Sequence, residues 1–222
     1  MRIPGLGGWS EDPLWSYVYP WLVEHERVGG PAWRVGMGSD LHLLHAAAAE
    51  VGTLPAGARV LDVPTGSGVA MRSLRPGQGV AYVAADISAT MLARADAQAR
   101  RHGVADQVTT LVADVGRLPF DDGAFDLVVS FTGLHCFPDP HRAVDEMVRV
   151  LAPGAALTGS SLFTDTGPRY EPLRRVGARA GILGPMCTSG EARTWLREAG
   201  CAHVDLRLDG AFGYFRATRE AA

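Results

Sequence analysis

From residue 58 onward the hydrophobic pattern switches repeatedly between two periods. Short continuous apolar runs mark strands, and stretches with apolar residues three and four apart mark helices. ARVLDV (58–63) is the first run, stopped by Pro64 and Gly66, and VAYVAAD (80–86) is the second. Between them, VAMRSLRP predicts a short helix ended by Pro76 and Gly77. Ser88 then offers an N-cap, and SATMLARADAQARRHG carries a helix to a Gly103 C-cap. VTTLVAD (108–114) and FDLVVSFT (125–132) are the third and fourth strands, and the unbroken apolarity of the fourth suits burial on both faces. Asp139 and Pro140 open a helix through Leu151 that Pro153 and Gly154 terminate, and ALTGSSLF (156–163) is strand five. Thr188 and Glu191 have capping-box spacing for a helix ending near Gly200. VDLRLDG and AFGYFRAT are two last strands around an Asp209–Gly210 turn, an antiparallel hairpin.

Strands that alternate with helices imply a parallel sheet with helices on both faces. The hairpin adds antiparallel strands, so the expected fold is α/β, doubly wound, with a mixed seven-stranded sheet. Ligands of such sheets bind beyond the carboxyl ends of the strands, where the strand order reverses. Two stretches stand outside the alternation. Residues 1–57 carry Trp9, Trp15, Trp21, Trp33, Tyr17 and Tyr19, with Pro20 breaking the first helical pattern. SDLHLLHAAAAEVG (39–52) is a helix capped by Ser39 or Asp40 and ended at Gly52. Residues 1–57 are therefore expected to form an N-terminal helical cap or lid. Residues 58–222 form the main domain, with a cap insertion at about 164–187.

Composition narrows the classes. The 222 residues are 47% hydrophobic and 20% charged, enough apolar material for a real core and too little charge for a disordered chain. The net charge is −3, which argues against a broad basic surface for a nucleic-acid backbone. All 21 cations are arginines, a bias to which no function attaches. The first fifty residues hold three arginines against six acids while the rest balance, which hints at a separate structural role for them. Cys136, Cys187 and Cys201 form no close pair, against a disulfide framework or a zinc site. No basic region followed by an apolar stretch opens the chain, and no run reaches the roughly 18 apolar residues of a membrane span. A soluble, cytoplasmic protein is the expectation.

The chemistry centres on VLDVPTGSGVAMR (60–72). Gly66 and Gly68 sit where a strand gives way to a helical stretch, so the backbone can approach a ligand closely and offer free N–H groups. Asp86 ends strand two, 18 residues after Gly68, where a carboxylate can accept from both hydroxyls of a ribose; the alternative is a helix cap beside Ser88. Asp114, in ADVGRLPF, can accept from an exocyclic adenine amine. A nicotinamide dinucleotide fits less well, because the third position of a GxGxxG fingerprint is Met71, too large for close helix–strand packing.

LDVPTGSG, AADIS…ML, ADVGRLPF, FDLVVSFTGLHCFPD and VRVLAPGA follow one another over about residues 58–160. In this order and spacing the chain resembles the class I S-adenosylmethionine-dependent methyltransferases, in particular the type 11 or UbiE-like small-molecule branch. The resemblance implies a Rossmann-like sheet and S-adenosyl-L-methionine as cofactor, with S-adenosyl-L-homocysteine as product. It implies that Asp62 and the backbone of Thr65, Gly66, Ser67 and Gly68 surround the methionine moiety. Asp86 would hold the ribose, with Ile87 against the adenine face. Asp114 would take the adenine amine, with Val115 offering a backbone N–H. Ser130 would offer its carbonyl to the cofactor amine, with Phe131 and Thr132 close to the sulfonium. Pro64 departs from the family, which places a small residue there, and it lacks an N–H.

Methyl transfer from a sulfonium is an in-line displacement that needs positioning and exclusion of water, and a base only where the acceptor must lose a proton. His135 is the candidate general base, with a structural hydrogen bond as its alternative. Trp15, Tyr17 and Tyr19 on the cap, and Arg169 and Tyr170 in the insertion, are candidates for the acceptor pocket. Arg174 and Arg175 can attract an anionic acceptor or simply be solvated. His42 and His45 share a helix face without a third ligand, so no metal site is expected. Family members that methylate amino groups of nucleic acids or proteins place an asparagine–proline motif after strand four, where this chain reads SFTGLH. The acceptor is therefore expected to be a small molecule, a natural-product hydroxyl being one form, with no nucleic-acid or membrane partner and a monomer or homodimer as the assembly. The alternative keeps the fold and the ligand but not the reaction: a cyclase, a decarboxylase or a binding module.

Overall fold

The computed structural model describes residues 21–23 and 25–221. Seven strands form one sheet: β1 (Arg59–Asp62), β2 (Ala81–Asp86), β3 (Val108–Val112), β4 (Phe125–Phe131), β5 (Leu151–Leu162), β6 (Cys201–Asp209) and β7 (Phe212–Arg219). Their order is β3-β2-β1-β4-β5-β7-β6. The first five strands run parallel, and β7 lies antiparallel to both β5 and β6. This is the doubly wound, Rossmann-like mixed sheet that the pattern predicts. The order reverses between β1 and β4, which places the ligand crevice at their carboxyl ends.

Successive residues of each strand face opposite sides, and the core divides accordingly. Val60, Tyr82, Leu127, Val129 and Phe212 belong to one apolar layer, covered by α1 (Glu26–Met37), α2 (Leu41–Ala48) and α3 (Ala89–Arg101). Leu61, Val128, Leu157 and Phe215 belong to the other, covered by α4 (Pro140–Arg149) and α6 (Ser189–Glu198). Helix α5 (Glu171–Arg179) lies in the insertion. Helix α4 shows why such a segment folds against the sheet. Its buried residues, Pro140, Ala143, Val144, Met147 and Val148, recur at helical spacing, and Asp139 caps its start by accepting the Arg142 N–H at 3.0 Å. The capping box of α6 is complete, with Thr188 and Glu191 satisfying each other's backbone N–H.

Three elements differ from the sequence pattern. The helix expected after the glycine loop is only a 3₁₀ turn at Ala70–Ser73, since Pro76 leaves too few residues for a stable helix. Strand β5 starts at Leu151, ahead of the Pro153–Gly154 stop. Both residues sit on an exposed stretch where the register with β4 shifts, so neither interrupts a buried ladder. Helix α1 forms through Gly29, Gly30 and Pro31, which local propensity disfavours. Packing explains it. Trp33 stacks on Phe212 with centroids 4.9 Å apart, and a Cβ at Gly29 would meet the Leu22 carbonyl, so the glycine permits the close crossing. The turn between α1 and α2 is tied to the β6–β7 hairpin. The Ala211 N–H donates to the Met37 carbonyl and the Asp40 N–H to Asp209 Oδ2. No helix among the described residues is long and apolar enough to cross a membrane.

Candidate functional site

A cavity of about 390 Å³ opens at the carboxyl ends of β1, β2, β3 and β4. Its floor is the loop Val63–Ser67, stitched to the strands on either side. The Val63 N–H donates to the Val129 carbonyl of β4 and the Thr65 N–H to the Ala85 carbonyl of β2. Gly66 stands at φ 54 with open space where a Cβ would be, so the backbone itself forms the cavity surface there. Pro64 lies in this floor, and its ring packs beside Gly133.

Two carboxylates end β1 and β2, and a third, Asp114, follows β3 by two residues. Asp62 is 2% exposed and accepts the Thr65 hydroxyl at 2.6 Å and the Tyr82 hydroxyl at 2.7 Å. Burial pushes its carboxyl up to about 7, helped by the charge of Asp86 and opposed by the two hydroxyls. Asp86 accepts the Gly66 N–H on Oδ2 and the Ser88 N–H on Oδ1, both at 2.9 Å, so the ribose and cap readings of this residue are compatible. Burial raises its carboxyl too, against the pull of those backbone donors. Asp114 is exposed at the rim and accepts the Gly116 N–H at 2.8 Å. Beside it Val115 is buried, while Ile87 presents a side chain that is 66% exposed along the same wall.

The far side of the cavity comes from the end of β4 and the segment after it: Phe131, Thr132, Cys136, Phe137 and Pro138. Thr132 holds φ 54, a left-handed conformation rare for a β-branched residue. Its hydroxyl donates to the Phe131 carbonyl and its N–H to Ser160 Oγ, which fix it there. The insertion backs this segment. The Gly184 N–H donates to the His135 carbonyl, and a Cβ at Gly184 would meet the Phe137 carbonyl at 2.5 Å.

The structure therefore brings Asp62, Thr65, Gly66, Ser67, Asp86, Ile87, Asp114, Val115, Phe131 and Thr132 to one cavity. Four candidates sit elsewhere. Gly68, at φ 88, packs against Met71 and α3 at Ala95. Ser130 is wholly buried, and its carbonyl faces Gly159 of β5. Tyr170 is buried with its hydroxyl against Gly38, and Arg169 lies over its ring 5.6 Å from the centroid. Trp15, Tyr17 and Tyr19 lie outside the described residues.

His135 is also outside the lining. Its Nδ1 accepts the Leu162 N–H at 3.1 Å and lies 3.1 Å from the Ser161 hydroxyl. With Nδ1 an acceptor, the neutral ring carries its proton on Nε2. Burial drives its pKa down to about 3, so the ring stays neutral at ordinary pH. Its ring ties the segment after β4 to β5. Arg174, for which the sequence allows a solvated cation or a group that attracts an anionic acceptor, is 9% exposed and donates to the Phe163 and Gly167 carbonyls and to Thr166 Oγ1.

Sequence reasoning passed over Cys136, Phe137, Pro138 and Tyr82. The first three lay in view in LHCFPDP, but no chemistry marked them. Tyr82 had a signal, as the one hydroxyl in an otherwise apolar strand run, since a buried tyrosine hydroxyl needs a partner.

The donor set fits an adenosyl cofactor. Ser67 Oγ is buried in the cavity wall with no hydrogen-bond partner among the described residues, and the strand-end carboxylates keep acceptor capacity beside an apolar slot. Among the described residues, no group of three or more His, Cys, Asp and Glu side chains could hold a metal ion.

Comparison with known proteins points the same way. A family model described as a methyltransferase domain matches residues 61–158. A demethylmenaquinone methyltransferase of Clavibacter sepedonicus is 36% identical over 172 residues, 68% of this chain and 69% of that protein. A 27-O-demethylrifamycin SV methyltransferase of Amycolatopsis mediterranei is 31% identical over 67% of this chain and 56% of that protein. The chain spans about half the length of the curated relatives it matches, from 36% to 69%. Among solved structures, phosphoethanolamine N-methyltransferase 2 of Haemonchus contortus in complex with S-adenosyl-L-methionine shares the fold. It superposes with a TM-score of 0.72 at 17% identity, over 92% of this chain and 56% of that one.

Proposed function

Because the chain belongs to the class I S-adenosylmethionine-dependent methyltransferases, we propose that its cavity binds S-adenosyl-L-methionine and that the protein methylates a small-molecule acceptor, releasing S-adenosyl-L-homocysteine. The observation that carries this reading is the convergence of Asp62, Asp86 and Asp114 with the Gly66 loop around one cavity at the switch point. When bound, the cofactor supplies an electrophilic methyl group on a sulfonium.

The chain's own residues do the rest. Asp86, held by two backbone donors, accepts from the ribose hydroxyls. Ile87 covers one face of the adenine, and Asp114 takes its amine with the Val115 N–H beside it. Asp62, Thr65, Gly66 and Ser67 surround the amino-acid end, with the Ser67 hydroxyl free to donate there. Gly68 and Ser130 act from behind this surface, through the loop and the strand they shape. Phe131, Thr132, Phe137 and Pro138 wall the methyl end and exclude water. His135, neutral and bonded to Leu162, supports that wall rather than taking the acceptor's proton. The reaction then asks for an acceptor that enters ionised or that loses its proton to solvent.

A small hydroxylated molecule with an apolar body suits the apolar wall. The curated relatives are named for small acceptors, demethylmenaquinone and 27-O-demethylrifamycin SV. Residues 1–57 would cap the acceptor end, with the insertion at 164–187 closing its outer side. Arg169 and Tyr170 would act from that cover rather than from the cavity wall. The working state is a monomer or homodimer in the cytoplasm, without a nucleic-acid or membrane partner.

Methyl-labelled cofactor incubated with a panel of phenols, hydroquinones and polyketide-type alcohols tests the assignment. Label should move to a small acceptor and S-adenosyl-L-homocysteine should form in equal amount. Turnover confined to RNA or protein substrates, or cofactor binding without transfer across the panel, would count against it.

A further inference from the structure

Asp62 carries two hydroxyl donors on a single oxygen. Oδ2 accepts from Thr65 at 2.6 Å and from Tyr82 at 2.7 Å. Tyr82 sits on β2, pairs with Val60 of β1, and is 1% exposed within an apolar layer that includes Leu127 and Ala84. Packing alone would ask for phenylalanine there. A tyrosine in that place supplies one thing more, a hydroxyl aimed at the carboxylate of the cavity floor.

We propose that Tyr82 is a positioning residue for cofactor capture: with Thr65 it holds Asp62 so that Oδ1 accepts the α-ammonium group of the cofactor's amino-acid end, and Asp62 gives up a proton to solvent as that cation binds. The inference rests on the cofactor reading above and deepens it. The described groups that act on Asp62 are Tyr82 and Asp86 on β2 and Thr65 on the loop, while β4 brings the uncharged Val129 in register beside it. No described cation neutralises the buried carboxyl, so it keeps a proton near neutrality until a ligand supplies the positive charge. Its rise to about 7 by burial agrees with that. The Tyr82 hydroxyl favours the ionised form, so its removal makes the carboxyl hold its proton to higher pH.

The test is calorimetric binding of S-adenosyl-L-homocysteine from about pH 6 to 8.5, in buffers of different ionisation enthalpy, to the wild-type protein and Tyr82→Phe. 5′-Methylthioadenosine, which lacks the amino-acid end, is the companion ligand. The wild type should release part of a proton with S-adenosyl-L-homocysteine and none with 5′-methylthioadenosine. A hydrogen bond to a charged group is worth about one pKa unit here, so Tyr82→Phe should bind S-adenosyl-L-homocysteine roughly tenfold more weakly at the acid end. At the alkaline end the two should agree within about twofold, because both carboxyls are then ionised. 5′-Methylthioadenosine should bind both proteins alike throughout. Should Tyr82→Phe fail to fold, Thr65→Val enters the same comparison, with Thr65→Ser expected to restore the wild-type profile. Parallel profiles for wild type and variant, with both ligands bound, would overturn the inference and leave the cofactor reading intact. Failure of the wild type to bind either ligand would remove the cofactor reading, and this inference with it.

Discussion

The two ends of the cavity are built by opposite means. At one end, three carboxylates stand at or just beyond the ends of three strands, and each already accepts hydrogen bonds from its own surroundings: Asp62 from Thr65 and Tyr82, Asp86 from Gly66 and Ser88, Asp114 from Gly116. At the other end, the last residue of β4 and the segment after it present Phe131, Cys136, Phe137 and Pro138. Several of its polar groups are already engaged within the protein, as with Thr132 Oγ1 on the Phe131 carbonyl, Cys136 Sγ on the Thr132 carbonyl and His135 Nδ1 on the Leu162 N–H. The difference bears on selectivity. A site whose buried polar groups await partners rejects a ligand that lacks them by large factors, whereas an apolar pocket discriminates by only about 1–3 kcal/mol per methylene. The strand-end half should therefore be strict about the cofactor, and the segment half tolerant about the acceptor.

The largest expected effect falls on the strict half. Asp86→Ala removes the acceptor proposed for the ribose and frees the Gly66 N–H that the carboxylate now fixes. Affinity for S-adenosyl-L-homocysteine should drop between about tenfold and a hundredfold, roughly 1.4–2.8 kcal/mol, in calorimetric titration. NADH and NADPH should not bind either protein. A variant that binds the adenosyl ligands as tightly as the wild type would erase the distinction between the two ends.

The next test concerns what supports the tolerant half. His135→Leu leaves the Leu162 N–H buried without its acceptor, a loss of about 2 kcal/mol. The melting temperature should fall by roughly 4–8 °C for a chain of this size. The pH dependence separates bracing from catalysis. His135 has a folded pKa near 3 against 6.5 unfolded, so between those values the unfolded chain binds more protons. Its contribution to stability is therefore complete above about 6.5 and is lost as the pH falls toward 3. Asp62 works in the opposite sense, with a folded pKa raised from 3.8 to about 7: its contribution is complete below 3.8 and is lost as pH rises through 7. Wild type minus His135→Leu isolates the histidine's acid limb. An unchanged limb in the variant would assign it elsewhere, and loss of the acid limb of turnover without loss of stability would return His135 to the role of base.

Cys136→Phe addresses the acceptor end directly. The half-buried Cys136 lines the cavity, and a phenyl ring there takes up space proposed for the acceptor. Turnover on the best acceptor should fall about tenfold through KM, while affinity for S-adenosyl-L-homocysteine changes less than about twofold. Equal losses in both would show that the two ends are not separate.

The same contrast explains what could be read in the sequence. The strand-end half was legible because its parts are local. A strand, a glycine turn or an acid at a strand end each leaves a mark within a few residues, and Asp86 and Asp114 are recognisable by position alone. The segment half is defined by which distant pieces cover it. His135 looked like a base from its place after strand four. Only the approach of β5, bringing Ser161 and Leu162, shows a ring with its lone pair already used. Helix α1 was hidden for a similar reason, since Gly29 and Pro31 argue against a helix until Leu22 and Phe212 are packed on it. For Arg174 the sequence allows a solvated cation or a group that attracts an anionic acceptor, because nothing nearby in sequence announces the carbonyls of Phe163 and Gly167.

The smallest effect tests how finely the strict half is tuned. Asp114 is exposed and caps the turn at Gly116, and it is the residue proposed to take the adenine amine. Asparagine at this position keeps one acceptor oxygen of the same reach, so Asp114→Asn can satisfy the turn or the amine but lacks the second oxygen and the charge. A neutral acceptor makes a weaker bond than a charged one, by a fraction of a kcal/mol where water competes. Affinity for S-adenosyl-L-homocysteine should therefore fall only about threefold. Guanine in place of adenine offers a carbonyl where the amine was, and the carboxylate of the wild type repels it. S-guanosyl-L-homocysteine should gain relative to the adenosyl ligand in Asp114→Asn, whose side-chain amide can donate to that carbonyl. A ratio that stays at the wild-type value would place Asp114 outside base recognition and leave it as the cap of a turn.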